Sequence, residues 1–189
     1  MTVLEEKKEL RRACAAVRSG IPTPERVAAD AALCRTVLSH PAFAKADLLL
    51  LFTPVRGEPD LLPLFAEATR RGIPVAFPRC EGTQMTFHTV ADPTAMPVDR
   101  FGIPAPSADA PSPVITARTL CILPGLAAGR DGTRLGYGGG FYDRFLDTFV
   151  GITLFPVYDR LLFPTLPTEA TDHRVMHIVT EKGALVPYV

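Results

Sequence analysis

The chain has 189 residues and balances 20 Lys and Arg against 20 Asp and Glu, so its formal net charge is zero. That length is enough for one continuous core, and the lack of a basic surplus excludes the electrostatic footprint of a nucleic-acid binder. Cys14, Cys34, Cys80 and Cys121 stand without Cys-x-x-Cys spacing, which excludes a zinc ribbon and a disulfide framework, and no apolar run approaches the roughly 18 residues of a membrane span.

The first stretch, Met1 to Arg12, is charged and lacks a signal-peptide core, so a cytoplasmic protein without a membrane partner is expected. Leu10, Cys14 and Val17 recur at i, i+4, i+7 and predict a helix with Lys7, Lys8, Arg11 and Arg12 around its other faces. A second helix is predicted from Thr23 as cap and Pro24 as first helical residue, with Val27, Ala31, Cys34 and Leu38 as its apolar stripe and His40-Pro41 as its stop. Asp47 to Phe52 is a short unbroken apolar run, the pattern of a strand covered on both faces. Asp60 is placed to cap a helix running to Arg71, and Ile73 to Phe77 supplies the next strand despite Pro74.

Met85 to Val90 alternates like a strand, and the proline-rich Asp92 to Pro113 predicts a long covering loop. Strands are expected at Leu120 to Leu123, Gly151 to Phe155 and Met176 to Val179, with a helix from Phe141 to Phe149. Strands alternating with helices predict an α/β fold: a single domain over 1–189, with an open, mostly parallel sheet flanked by helices on both faces.

Between the last two predicted helical and strand blocks lies the most informative segment, Arg134-Leu135-Gly136-Tyr137-Gly138-Gly139-Gly140-Phe141-Tyr142-Asp143-Arg144. Each glycine in regular structure costs roughly 0.5 to 1 kcal/mol relative to alanine, so four of them need a reason. Glycine lets backbone N–H groups approach an anion, Arg134 and Arg144 supply charge-assisted bonds, and Asp143 offers a carboxylate for a divalent cation. The segment reads as a phosphate cradle just past a strand end, where open α/β sheets bind ligands. It lacks the Lys-Ser/Thr of a Walker loop and the spacing of the dinucleotide fingerprint.

This segment, together with Leu123-Pro124-Gly125-Leu126-Ala127, resembles the signature of the 5-formyltetrahydrofolate cyclo-ligase family. The resemblance extends to Lys7-Lys8-Glu9-Leu10-Arg11, Gly57-Glu58-Pro59-Asp60, Phe101-Gly102-Ile103-Pro104, and Pro167 through Asp172 to Thr180-Glu181, and so spans nearly the whole chain. It implies ATP- and Mg²⁺-dependent conversion of 5-formyltetrahydrofolate to 5,10-methenyltetrahydrofolate, with ADP and phosphate released through a phosphorylated formyl intermediate. The partners implied are 5-formyltetrahydrofolate and ATP, the latter a co-substrate, with Mg²⁺ as cofactor and a monomer as the working form.

Residue by residue, the resemblance assigns ATP to Lys7, Arg11, Arg134, Leu135, Gly136, Tyr137, Gly138, Gly139, Gly140, Phe141 and Tyr142. The folate falls to Val55, Glu58 and Asp60, with Tyr137 through Phe141 at its reacting end. Asp143 and Asp172 match the metal ligands, and Arg134 and Tyr142 stand nearest the chemistry. The chain departs from the family pattern at Ala128-Gly129, where phenylalanine and aspartate are usual, at Phe141, where tyrosine is common, and at Leu161, where glutamine is frequent. Two other readings stay open: a folate- or nucleotide-binding relative without efficient turnover, and an ATP-dependent enzyme acting on another N-formyl or pterin substrate. The acidic turn at Glu58 separates them, since only a pterin binder needs it.

Overall fold

The computed structural model describes residues 2–188, so Met1 of the charged N-terminal stretch lies outside it. In chain order the helices are α1 (Val3–Ser19), α2 (Thr23–Ser39), α3 (Pro41–Lys45), α4 (Pro63–Arg70) and α5 (Phe141–Leu146). The strands are β1 (Leu48–Leu50), β2 (Val75–Glu81), β3 (Gln84–Thr89), β4 (Thr119–Ile122), β5 (Ala127–Gly129), β6 (Arg134–Leu135), β7 (Ile152–Pro156), β8 (Leu162–Phe163), β9 (His177–Thr180) and β10 (Gly183–Leu185). Seven strands form one sheet in the order β10-β9-β7-β4-β1-β2-β3. Its inner pairs are parallel, and antiparallel hairpins close both edges. A small sheet, β6-β5-β8, was not foreseen; its strands are two or three residues long, below the length at which periodicity is readable.

Leu48 through Phe52 is buried throughout, with Leu49 and Leu50 fully so, as a strand between β4 and β2 in a covered sheet requires. β2 runs further than its sequence signal and takes in Pro78. The parallel pairing with β1 ends at Ala76, so the missing proline N–H lies past the neighbour that would have needed it. Between Asp92 and Pro113 the chain has only a 3-10 turn at Pro93–Ala95 and a single bridge from Val98 to Pro104, in keeping with a covering loop.

Helix ends differ from expectation for local reasons. Thr2 and Glu5 form a reciprocal capping box on α1. Thr23 does not cap α2 because it is already helical; Pro22 holds the cap position and no side chain caps it. The buried face of α2 is Leu33, Cys34 and Val37, while Val27 is 61% exposed. Asp60 does not cap α4: its Oδ1 accepts from the Leu62 N–H (3.0 Å), shaping the turn before Pro63 starts the helix. α5 stops at Leu146 rather than Phe149, although Phe145 packs on Phe87 of β3 and Phe149 on Phe145.

The largest correction concerns α1. The residues it buries are Lys7, Cys14 and Arg18, and Arg11 lies on the same side one turn from Lys7. The basic residues assigned to outer faces therefore include the helix's inner stripe, and Val17 points outward at 44% exposure. No helix among the described residues is long and apolar enough to cross a membrane. The centre of the sheet sets the stability: Leu50→Ala is expected to cost about 2–5 kcal/mol, read as a lower denaturation midpoint at unchanged slope in guanidinium titrations.

Candidate active site

The chain leaves β1 toward β2 on one side and later returns as β4 on the other, which makes the carboxyl ends of β1 and β4 a switch point where loops diverge. A cavity of about 500 Å³ opens there. Phe52, Val55 and Glu58 line it from the loop after β1, Pro124 from the loop after β4, and Phe101 and Ile103 from the long covering loop. Pro78, Cys80 and Met85 line it from β2 and β3, and the glycine segment from Gly136 to Phe141 forms a further wall together with Arg134, Tyr142 and Asp143.

The glycine segment has the backbone its composition demands. Gly138 and Gly140 sit at φ 92° and 65°, in the left-handed region. A Cβ on Gly138 would also come within 3.3 Å of the Arg11 guanidinium carbon, whose Nε donates to the Gly136 carbonyl at 2.8 Å. Arg11 thus lies against the back of the ribbon. Arg134 donates to the Pro124 carbonyl (3.1 Å) and to Asp143 Oδ1 (2.9 Å).

Lys7 lies on the same side of α1 and is buried at 3% exposure, bonded to Glu169 at 2.8 Å and to Asp172. Burial works to lower its pKa, but the two carboxylates outweigh this and hold it above its ordinary value. The backbone N–H of His173 reaches Asp143 Oδ1 at 3.5 Å. Asp143 and Asp172 thereby lie on two segments that touch. They are hard oxygen donors suited to Mg²⁺, which commonly takes one or two carboxylates and completes its shell with phosphate oxygens and water. No cluster of three or more metal-ligating side chains occurs among the described residues.

Glu58 is the buried carboxylate of the cavity, 4% exposed. One oxygen accepts from the Val55 N–H at 3.0 Å and the other has no partner. Burial raises its pKa above the usual carboxylate range, while the Val55 N–H, the Tyr137 hydroxyl and the Arg18 charge pull part of the way back. Burial likewise lifts Tyr137 and Tyr142, so both hydroxyls remain protonated donors near neutrality.

Arg18 was missed by the sequence reading. It is 2% exposed and donates to the Gly125 carbonyl (2.9 Å) and the Tyr137 hydroxyl (2.7 Å). Its signal was available in the seven-residue step from Arg11, which returns to the same helix face. Of the apolar lining, Val55 and Phe141 were assigned to the site through the resemblance, whereas Phe52 and Met85 carried no such signal.

Seven buried side-chain polar atoms lack a partner among the described residues, and four of them are Arg18 Nε, Glu58 Oε1, Arg134 Nε and Tyr142 Oη. Unmade buried hydrogen bonds cost about 1–3 kcal/mol each, so their concentration around one cavity marks a site built for a polar guest.

Some expected residues lie elsewhere. Asp60 is exposed and does not line the cavity; its backbone oxygen faces Cys34 of α2. The Leu135 side chain is buried in the core, leaving only its backbone near the ribbon. Lys7, Arg11 and Asp172 sit beside the ribbon rather than in the cavity wall. Of the departures, Ala128 and Gly129 are buried in β5 and Leu161 is buried in the core, none of them lining the cavity. Asp131 fills the space beside Gly129, accepting from Thr133 and Thr165 and pairing with Arg174. Phe141 does line the cavity, with the Arg144 guanidinium 5.2 Å from its ring centre.

A family model described as the 5-formyltetrahydrofolate cyclo-ligase family matches residues 3–181. The chain belongs to this family. The 5-formyltetrahydrofolate cyclo-ligase of Escherichia coli K12 is 30% identical over 152 residues, covering 76% of this chain and 83% of its own length. The enzyme of the same name from Mycolicibacterium smegmatis is 29% identical over 147 residues, 71% of this chain and 74% of its own. Among solved structures, the Aquifex aeolicus 5,10-methenyltetrahydrofolate synthetase superposes with a TM-score of 0.85 at 31% identity, covering 97% of this chain and 93% of that one. A Mycoplasma pneumoniae 5,10-methenyltetrahydrofolate synthetase gives 0.75 at 17% identity over 93% and 99% of the two chains, a likeness of fold. As a cyclo-ligase family member the protein is an enzyme of the ligase class, and the sequence resemblance stands.

The cyclo-ligase cavity holds its buried carboxylate at an energetic cost. Because the folded-state pKa of Glu58 lies above its ordinary 4.5, that cost is fully present above the raised value and disappears as pH falls toward 4.5. Glu58→Gln is therefore expected to raise unfolding stability at pH 7, with the gain shrinking as urea titrations are repeated down to pH 5.

Proposed function

We propose that the protein cyclises 5-formyltetrahydrofolate to 5,10-methenyltetrahydrofolate at the expense of ATP, with Mg²⁺ as the metal. The observation that carries this reading is the juxtaposition of an unpaired, buried Glu58 carboxylate with a glycine ribbon backed by Arg11 and Arg134 in one cavity. A carboxylate with a free oxygen suits the amino and ring N–H groups of a pterin, and the ribbon suits a polyphosphate.

The formyl oxygen is a poor leaving group. It attacks the γ-phosphorus of ATP, ADP departs, and the oxygen becomes a phosphate ester. N10 then attacks the activated carbon, the C–O bond to phosphate breaks, and N10 gives up its proton as the ring closes. Phosphoryl transfer of this kind asks for positioning and charge neutralisation more than for a protein nucleophile.

In this reading Arg134, fixed between Pro124 and Asp143, faces the transferring phosphoryl group, and Arg11 steadies the ribbon from behind. The neutral Tyr142 hydroxyl, buried without a partner, donates to an oxygen at the reacting end. Val55 and Phe141 exclude water from the cavity. Asp143 and Asp172 would hold Mg²⁺, which when bound would supply neutralisation of phosphate charge. Asp60, being exposed outside the cavity, is left with its turn-forming role.

Purified protein with 5-formyltetrahydrofolate, ATP and Mg²⁺ is expected to develop the absorbance of methenyltetrahydrofolate, and no rise over an ATP-free control overturns the proposal. Asp143→Ala removes both a metal ligand and the anchor of Arg134. Its turnover is expected to fall at least about 100-fold, in line with the loss of one transition-state charge contact, with circular dichroism unchanged. An unaltered rate and Mg²⁺ dependence would remove Asp143 from the metal site.

A further inference from the structure

The loop that carries Glu58 is held in an unfavourable conformation. Arg56 has φ 52° and Gly57 φ 73°, so a non-glycine residue sits in the left-handed region two residues before the carboxylate. Such a residue persists only where its surroundings over-determine it. Inside the loop, the Glu58 N–H donates to the Val55 carbonyl and the Val55 N–H donates back to the Glu58 side chain, each at 3.0 Å. What lies beneath the turn is Arg18: a Cβ on Gly57 would sit 3.8 Å from Arg18 Cγ.

From that position the Arg18 guanidinium reaches two further segments, the Gly125 carbonyl after β4 and the Tyr137 hydroxyl in the glycine ribbon. Arg56 approaches the Tyr137 ring from the cavity side, its guanidinium carbon 5.6 Å from the ring centre. Arg18 makes no direct ion pair with Glu58, and its Nε is buried without a partner. The three loops that diverge at the switch point, after β1, after β4 and after β6, therefore meet on one buried side chain. A planar fork of rigid donors suits this task, where a lysine ammonium offers a single point charge.

We infer that Arg18 is a positioning residue: from outside the cavity it fixes the Glu58 turn against Tyr137 and Gly125, and so sets the geometry and the charge state in which the carboxylate receives the pterin. The pterin part of this inference rests on the function proposed above. Arg18 itself does not line the cavity. Its position on α1, in line with Lys7 and Arg11, makes one helix responsible for both ends of the site. The groups facing Glu58 are Arg18 from α1, Tyr137 from the ribbon and Tyr142 from α5, with Arg56 lining the same cavity and Arg26 of α2 beside Gly57 in the same turn, and only the three arginines are cationic.

The test uses Arg18→Met, Arg18→Lys and Tyr137→Phe in the full chain. Loss of charge-assisted hydrogen bonds predicts that Arg18→Met raises KM for 5-formyltetrahydrofolate about tenfold or more, and KM for ATP several times less. The acid limb of its pH–rate profile is expected to move to higher pH, because a positive charge that favours ionised Glu58 has gone. Arg18→Lys retains the charge and is expected to restore the acid limb while recovering only part of the folate KM. Tyr137→Phe, which leaves the guanidinium in place, is expected to raise folate KM less than Arg18→Met does.

Equal rises in both KM values, or failure of Arg18→Lys to restore the acid limb, overturn the assignment. A readout free of turnover separates this from the proposed function: carboxyl ¹³C NMR of Glu58 in the unliganded protein is expected to show a higher pKa in Arg18→Met. An unchanged Glu58 titration sinks the Arg18 inference even if the wild type is an active cyclo-ligase. An inactive wild type sinks the proposed function and leaves the titration to decide Arg18. Should Arg18→Met fail to fold, Arg18→Lys and Tyr137→Phe still decide: wild-type folate KM in both overturns the inference.

Discussion

Helix α1 carries Lys7, Arg11 and Arg18 on the side it turns toward the protein, and a buried cation is tolerated only where it is neutralised or fully hydrogen-bonded. Lys7 takes two carboxylates from the C-terminal segment, Arg11 a carbonyl of the glycine ribbon, and Arg18 a carbonyl of the loop after β4 and a hydroxyl of the same ribbon. An apolar inner stripe would have packed α1 on the core and no more. The cationic stripe joins segments more than a hundred residues away in sequence to the first helix, and two of them, the loop after β4 and the glycine ribbon, are walls of the site.

The glycine ribbon is complementary to this arrangement. Its left-handed residues and missing side chains let Arg11 lie flat behind the backbone, so cationic charge stands close to the ribbon without filling the cavity. Arg134 repeats the device from the other end, fixed by a carbonyl and a carboxylate and buried to 4% at the side chain. Polar atoms left unpaired around the cavity represent stability given up in exchange for recognition, a frequent condition of active sites.

The departures from the family pattern fall where they disturb the cavity little. Ala128 and Gly129 are strand residues of the small sheet, and Asp131 supplies a carboxylate in the adjacent space with partners on three sides. Phe141 keeps the ring in the cavity wall and loses only the hydroxyl. The lost charge and ring at 128–129 therefore bear on how β5 packs against β8, and the glycine segment keeps its backbone course.

What the sequence by itself determined was whatever depends on neighbours along the chain. The unbroken apolar run at Leu48 to Phe52 required a covered strand, the proline density of 92–113 required a loop, and four closely spaced glycines required a backbone free to enter the left-handed region; each is a local property of backbone or hydropathy. Lys7 and Arg11 sharing a face followed from helical spacing alone. That this face points inward was decided by the tertiary structure, since periodicity gives the angle between residues and says nothing of which side meets the core. The same applies to Asp60, whose cap-like context was satisfied by a turn one step earlier, and to Arg18, whose two partners come from loops folded against it. A buried charge is invisible to patterns of hydropathy, because its stability rests on partners distant in sequence that only the assembled fold brings within hydrogen-bonding reach.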